Sequence, residues 1–180
     1  MPGVPGPPLA AARCRVPTDK EARIVPTFEI QQRAPRPALA IPLHSNLEEI
    51  SATLGVALAE VWHAAEAAGR TPEGPPFTRY FSEPDGGAGN LDYEAGVTLL
   101  EPASAGQGRA LPTELPGGTL AVGWHMGPYD TIGETYGALM GWIGEQGRTV
   151  AGPMWEVYWT NPDDEPDPAL WRTEVIVPVA

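Results

Sequence analysis

Cysteine is nearly absent from this chain. Cys14 stands alone in a proline-rich leader, so neither a disulfide nor a thiolate metal site can be built from the chain by itself, and a solvated, inert thiol is expected. Positive charge is scarce too. Eleven Lys and Arg face 23 Asp and Glu, for a net charge of -12, and the basic residues are scattered. That excludes tracking of a phosphate backbone and argues against a direct nucleic-acid partner. No apolar run approaches the roughly 20 residues of a membrane-spanning helix, so no membrane partner is expected. The N-terminal MPGVPGPPLAAARCRV, broken by Pro2, Pro5, Pro7 and Pro8, lacks the apolar core of a secretory signal. A cytoplasmic location is the expectation. The 180 residues are enough for one domain, or for two small halves sharing a core. They are too few for an enzyme domain together with a DNA-binding domain of ordinary size.

What the chain does have is a carboxylate in an otherwise apolar and aromatic strand, GPMWEVYW, Gly152 to Trp159. The period of two places Trp155, Val157 and Trp159 on one face and Met154, Glu156 and Tyr158 on the other. A Glu so flanked is a poor choice for a purely structural strand, and a good one where that face meets something cationic or polarisable. Pro and Gly, 22 and 21 in number, punctuate the apolar blocks.

Residues 1–27 read as a flexible leader without a periodic apolar face, and the folded domain is expected over 28–180. Phe28 to Gln32 and Ala38 to Leu43 have the character of short strands. Asn46 followed by Glu49 resembles a capping box, and Leu47, Ile50, Leu54, Leu58, Val61 and Ala65 form the stripe of a helix that ends near Gly69. Phe77 to Phe81 is expected as a strand, Glu83 to Asn90 as a loop, and Leu91 to Leu100 as another strand. In the second half a strand over Gly118 to Met126 leads into a helix with the stripe Ile132, Tyr136, Leu139 and Ile143, stopped at Gly147. The Glu156 strand follows, then the acidic turn NPDDEPDP, then a last strand from Trp171 to Val179.

The halves match in sequence. GRTPEGPPFTRYF at 69–81 lies over GRTVAGPMWEVYW at 147–159, LAIPLHS at 39–45 over LAVGWHM at 120–126, and YEAGV at 93–97 over TEVIV at 173–177. These blocks set Tyr80 against Tyr158, Thr78 against Glu156, Glu94 against Glu174 and His44 against His125. The chain therefore reads as a tandem duplication of a strand, helix, strand, strand unit, with repeats at about 28–100 and 109–180.

HMGPYDTIGETYGALMGWI, GPMWEVYWTNP and WRTEVIVPV, in that order and spacing, resemble the GyrI-like small-molecule-binding domain, the effector-binding domain of AraC-type and MerR-type multidrug regulators. The resemblance covers Phe28 to Val179 and is strongest from Gly118 onward. It implies an α+β fold: paired βαββ units forming a curved antiparallel sheet, helices packed outside and a ligand cleft between the halves. The leader has neither the length nor the basic charge of a helix-turn-helix segment, so the chain looks like the stand-alone members. Those include a DNA gyrase inhibitor and hydrolases that open the cyclopropane of DNA-alkylating natural products.

The resemblance assigns the floor of an aromatic-walled pocket to Glu156 and a second carboxylate to Glu174. Parity agrees, because Met154, Glu156 and Tyr158 share a face, and Arg172, Glu174 and Ile176 share one on what should be a nearby strand. Tyr80 is the repeat equivalent of Tyr158, and Tyr158, Tyr80, Met154 and Ile176 are the further ligand contacts expected. A carboxylate ringed by Trp and Tyr suits a flat lipophilic cation, held for sequestration or resistance. The same carboxylates, with raised pKa, suit metal-free hydrolysis by Glu156 and Glu174, with Tyr158 orienting the substrate. A gyrase-type protein partner met through the acidic surface is the third reading. Strand pattern alone fits equally a wet sheet face in which Arg172 pairs with a carboxylate. His44 and His125, as repeat equivalents at a strand end, read as structural, and no metal or other cofactor is expected because no ligand partner sits at suitable spacing. Trp62 and Trp142, beside the helix stripes, read as packing, and NPDDEPDP as a solvated turn without calcium-loop spacing.

Overall fold

Strands and helices alternate as the hydrophobic periods require in a computed structural model, which describes residues 27–46, 48–81, 91–160 and 165–180. In chain order the elements are β1 (Phe28–Arg33), β2 (Arg36–Ser45), α1 (Ile50–Ala67), β3 (Pro72–Tyr80), β4 (Leu91–Leu99), β5 (Leu111–Leu115), β6 (Gly118–Met126), α2 (Ile132–Glu145), β7 (Met154–Tyr158) and β8 (Arg172–Pro178). Short 3-10 turns sit at Tyr129–Thr131 and Pro168–Leu170. The expected capping contact is made: the Asn46 side chain accepts from the Glu49 amide at 2.9 Å, although the helix proper starts at Ile50. Gly69 and Gly147, at φ of +66° and +67°, close the two helices with the left-handed conformation that glycine adopts most cheaply. Leu47, the Glu83–Asn90 loop, most of the leader with Cys14, and the first half of the acidic turn lie outside the described residues.

All eight strands form one antiparallel sheet in the order β1-β6-β8-β7-β3-β4-β2-β5. Replacing each strand of one half by its counterpart four places along reverses this order onto itself, so the sheet has a pseudo-twofold axis between β3 and β7. The expected βαββ units are present as β2-α1-β3-β4 and β6-α2-β7-β8. Each is preceded by one further strand, and that strand is given away: β1 pairs with β6 of the second unit, and β5 with β2 of the first.

This exchange forces the sheet to curl. Two residues, Ala34 and Pro35, join β1 at one edge to β2 near the other, and Pro116 and Gly117 likewise join β5 to β6. Connections that short cannot span a flat sheet of eight strands spaced about 4.8 Å apart. The two connectors touch: a Cβ on Gly117 would lie 2.5 Å from the Pro35 nitrogen and 2.7 Å from the Arg33 carbonyl oxygen. Across the interior, Arg79 on β3 donates to the Glu114 carbonyl at 2.8 Å and to Thr113 Oγ1 at 3.0 Å on β5, three strands away.

Opposed residues on antiparallel strands share a face. One face carries Ala38, Ala40, Phe77, Leu115, Leu120, Val122, Trp155 and Ile176, a single buried cluster drawn from both ends of the sheet, and is therefore the concave interior. The other face carries both helices. α1 packs on Leu39, Ile41, Leu43, Tyr93, Ala95 and Val97, and α2 on Ala121, Val175 and Val177. Each fully buried Leu, Ile, Val or Phe side chain adds about 1.5–3 kcal/mol, so both faces hold the sheet.

The register corrects one sequence alignment. Thr78 pairs with Glu156 across the axis, which fixes an offset of 78 there, and the ladders beyond give 80 for β4 and β8 but 82 for β2 and β6. LAIPLHS therefore lies one residue out of register over LAVGWHM. Since a slip of one turns every side chain to the opposite face, His44 is not the counterpart of His125; Leu43 is. The prolines after α1 do not precede β3 but lie in it, where an irregularity between Pro72 and Pro76 absorbs the missing donors.

Candidate functional site

β7 and β3 are the central strands of the sheet. α1 packs against β4, β2 and β3, and α2 against β6, so the middle of the helix-bearing face lies between the two helices. Glu156 emerges there, on the axis, opposite Thr78. It is buried, and three phenols donate to it: Tyr136 from α2 to Oε1 at 2.8 Å, Tyr158 to Oε2 at 2.8 Å and Tyr80 from β3 to Oε2 at 3.3 Å. Tyr129, in the turn before α2, sets the edge of its ring against Tyr158 at 5.6 Å and lies 4.9 Å from Trp171. Tyr80 in turn stacks on Tyr93 at 6.2 Å. Among the described residues Glu156 has no ion-pair partner.

Burial pushes the Glu156 carboxyl above the usual carboxylate range, and the bonds from Tyr136, Tyr158 and Tyr80 and the nearby His125 act in the opposite direction. The Tyr80, Tyr136 and Tyr158 hydroxyls are pushed well above the usual phenol value, chiefly by burial and then by the Glu156 charge, so they stay protonated donors. The arrangement is a buried anion solvated by phenols instead of water, inside a wall of aromatic rings.

The sequence from residue 26 to residue 180 matches the family model of the GyrI-like small molecule binding domain. The chain belongs to the GyrI-like family. The C-terminal domain of EcmrR has the same fold, with a TM-score of 0.75 at 19% identity over 87% of this chain and 98% of that one. EcmrR in its complex with DNA superposes with a TM-score of 0.76 at 21% identity; the match takes in 89% of this chain but only 59% of EcmrR. SAV2435, solved with tetraphenylphosphonium bound, gives a TM-score of 0.61 at 16% identity over 86% and 94% of the two chains. No curated protein matches in sequence.

The structure of this GyrI-like domain brings together some of the residues expected from its sequence and separates others. Glu156, Tyr158 and Tyr80 converge, and Met154, opposite Tyr80, shares their face and packs toward α2. Glu174 and Ile176 do not join them. Glu156 pairs with Val175, so its neighbours on β8 point through the sheet: Ile176 lies in the concave interior beside Trp155, and Glu174 is bound there by Arg33 and Trp159. Arg172 lies on that face as well, over the Trp124 ring. The side chains that bond Glu156 are all tyrosines, with Trp171 one ring further out against Tyr129, while Trp155 and Trp159 lie on the other face as the alternation requires. Trp142 packs on Phe28 at 5.8 Å as expected, whereas Trp62 is exposed on α1 and donates to Glu66.

Tyr136 and Tyr129 were not expected at the site. Tyr136 occupies a stripe position of α2 that reads as core, and its signal was the phenol itself, which needs a partner when buried. Tyr129 belongs to the Gly-Pro-Tyr turn, whose place beside β7 no local pattern reveals.

Proposed function

We propose that this domain binds lipophilic, aromatic cations at the Glu156–tyrosine cluster, in a cleft between α1 and α2, and that it serves in sequestration of such compounds or resistance to them. One observation carries the reading: a buried carboxylate with three phenol donors and, among the described residues, no ionic partner. Three hydroxyls take three of its roughly four acceptor sites, so a guest gains at most one bond by offering N–H groups. It gains from charge and from the faces of the rings. A cation about 5 Å away at an effective dielectric of about 20 would be held by roughly 3 kcal/mol. The tetraphenylphosphonium found in SAV2435 is a compound of this kind.

Calorimetric titration with tetraphenylphosphonium tests the reading, with quenching of Trp171, which lies against Tyr129, as an independent signal. Glu156→Gln is expected to weaken binding by on the order of a hundredfold. Equal affinity in wild type and variant would refute the reading.

A second reading, metal-free hydrolysis of cyclopropane-bearing alkylating compounds, draws support from the raised proton affinity of Glu156, which suits a general acid. Glu174, across the sheet, cannot serve the same substrate, so Glu156 would act alone with Tyr158 orienting. Recovery of such a compound unchanged after prolonged incubation sinks this reading. Product formation that Glu156→Gln abolishes at unchanged affinity would favour it over simple binding.

A further inference from the structure

We propose that His125 is a positioning residue of the Glu156 site, bracing the turn and the helix that carry Tyr129 and Tyr136. The inference rests on the reading that the cluster takes cations, and adds what sets its geometry.

His125 is buried on β6, on the face that carries Glu156, opposite Thr173, which is itself opposite Tyr158. Its Nε2 lies 3.0 Å from the carbonyl oxygen of Pro128, a group that only accepts, so Nε2 carries hydrogen. Its Nδ1 lies 2.9 Å from Thr135 Oγ1. Pro128 precedes Tyr129 and Thr135 precedes Tyr136. One imidazole thus braces both tyrosines that reach the cluster from outside the sheet.

The other half of the molecule shows that the fold does not require this brace. Leu43 takes the place of His125, and Ala57 that of Thr135 on the matching helix, where positions 57, 61 and 65 are buried like 135, 139 and 143. An apolar contact suffices there. A threonine hydroxyl can donate as well as accept, so Thr135 can donate to Nδ1 while Nε2 donates to Pro128, and one neutral ring satisfies both contacts. With Thr173 opposite it on β8, the imidazole ties strand, turn and helix together, and displacing it frees the segments that carry Tyr129 and Tyr136.

The test is tetraphenylphosphonium affinity at about pH 8 for wild type, His125→Gln and His125→Leu, with melting temperatures alongside. His125→Gln, which keeps a donor toward Pro128, is expected to bind within about threefold of wild type. His125→Leu, the residue of the other half, is expected to melt near wild type yet bind about tenfold more weakly. Wild-type affinity in both variants overturns the proposal, as does a loss of stability with no loss of affinity. Should neither variant fold, Thr135→Val keeps the imidazole and removes its partner: weaker binding at a melting temperature near wild type supports the positioning role, and unaltered affinity refutes it. If wild type binds no cation, the cation reading itself fails, a result distinct from binding that ignores His125.

Discussion

At the scale of single residues, a carboxylate removed from water needs other donors, and at Glu156 phenols supply them. Because burial still raises its pKa, the folded state holds the proton more tightly than the unfolded chain does. The stability this contributes is complete below the ordinary carboxylate value of about 4.3 and is lost as pH rises through the folded pKa. Glu156→Gln is therefore expected to melt higher than wild type at pH 8, with the gap closing below about pH 4.3; thermal melts across pH measure it. Tyr136→Phe removes one donor to a charged acceptor, worth about 1.5–3 kcal/mol. It is expected to raise the Glu156 pKa further, visible as a protonated-carboxyl infrared band persisting to higher pH, and to weaken cation binding about tenfold. Glu156 and Tyr158 were legible in the sequence because alternation in one strand fixes which side chains travel together. Glu174 was misplaced because alternation cannot say which face of a neighbouring strand turns the same way. That depends on register, and Val175, not Glu174, stands opposite Glu156.

At the scale of elements, close approach is decided by glycines. Gly117 meets Pro35 where the two connectors touch, and Gly96 on β4 lies under Phe77, whose ring a Cβ would meet at 2.3 Å. Gly117→Ala presses on backbone that cannot rotate away and is expected to cost about 1–3 kcal/mol in a denaturant titration. Gly133→Ala, on the open side of α2 where a Cβ meets nothing within 4 Å, is expected to be neutral or to stabilise by up to about 1 kcal/mol. The helices and most strands were readable from their periods, down to the stop at Gly147. β5 was not, because LPTEL is short and only its last residue is buried. β3 was read too short, since prolines that end a helix can still lie in an irregular strand.

At the scale of the molecule, each half completes its sheet with a strand from the other. Each half has a helix-side core, but the concave core belongs to neither alone: it takes Ala38, Ala40, Phe77 and Leu115 together with Leu120, Val122, Trp155 and Ile176. Residues 27–105 or 106–180 expressed alone are expected to lack a cooperative melt, and mixing them to restore one, followed by circular dichroism. The duplication was visible in sequence, but the strand exchange was not, because pairing between distant segments leaves no local pattern.

That Glu156 stands directly across the axis from Thr78 has one more consequence. In a symmetric dimer of identical chains, whatever occupies that spot occurs twice, a few ångströms apart. Two acids there would repel each other and share a proton; two alcohols would hold no charge at all. Joining both copies in one polypeptide frees the two positions to differ, so that one carboxylate, with an alcohol opposite, stands at the centre of symmetry without a second acid to share its proton.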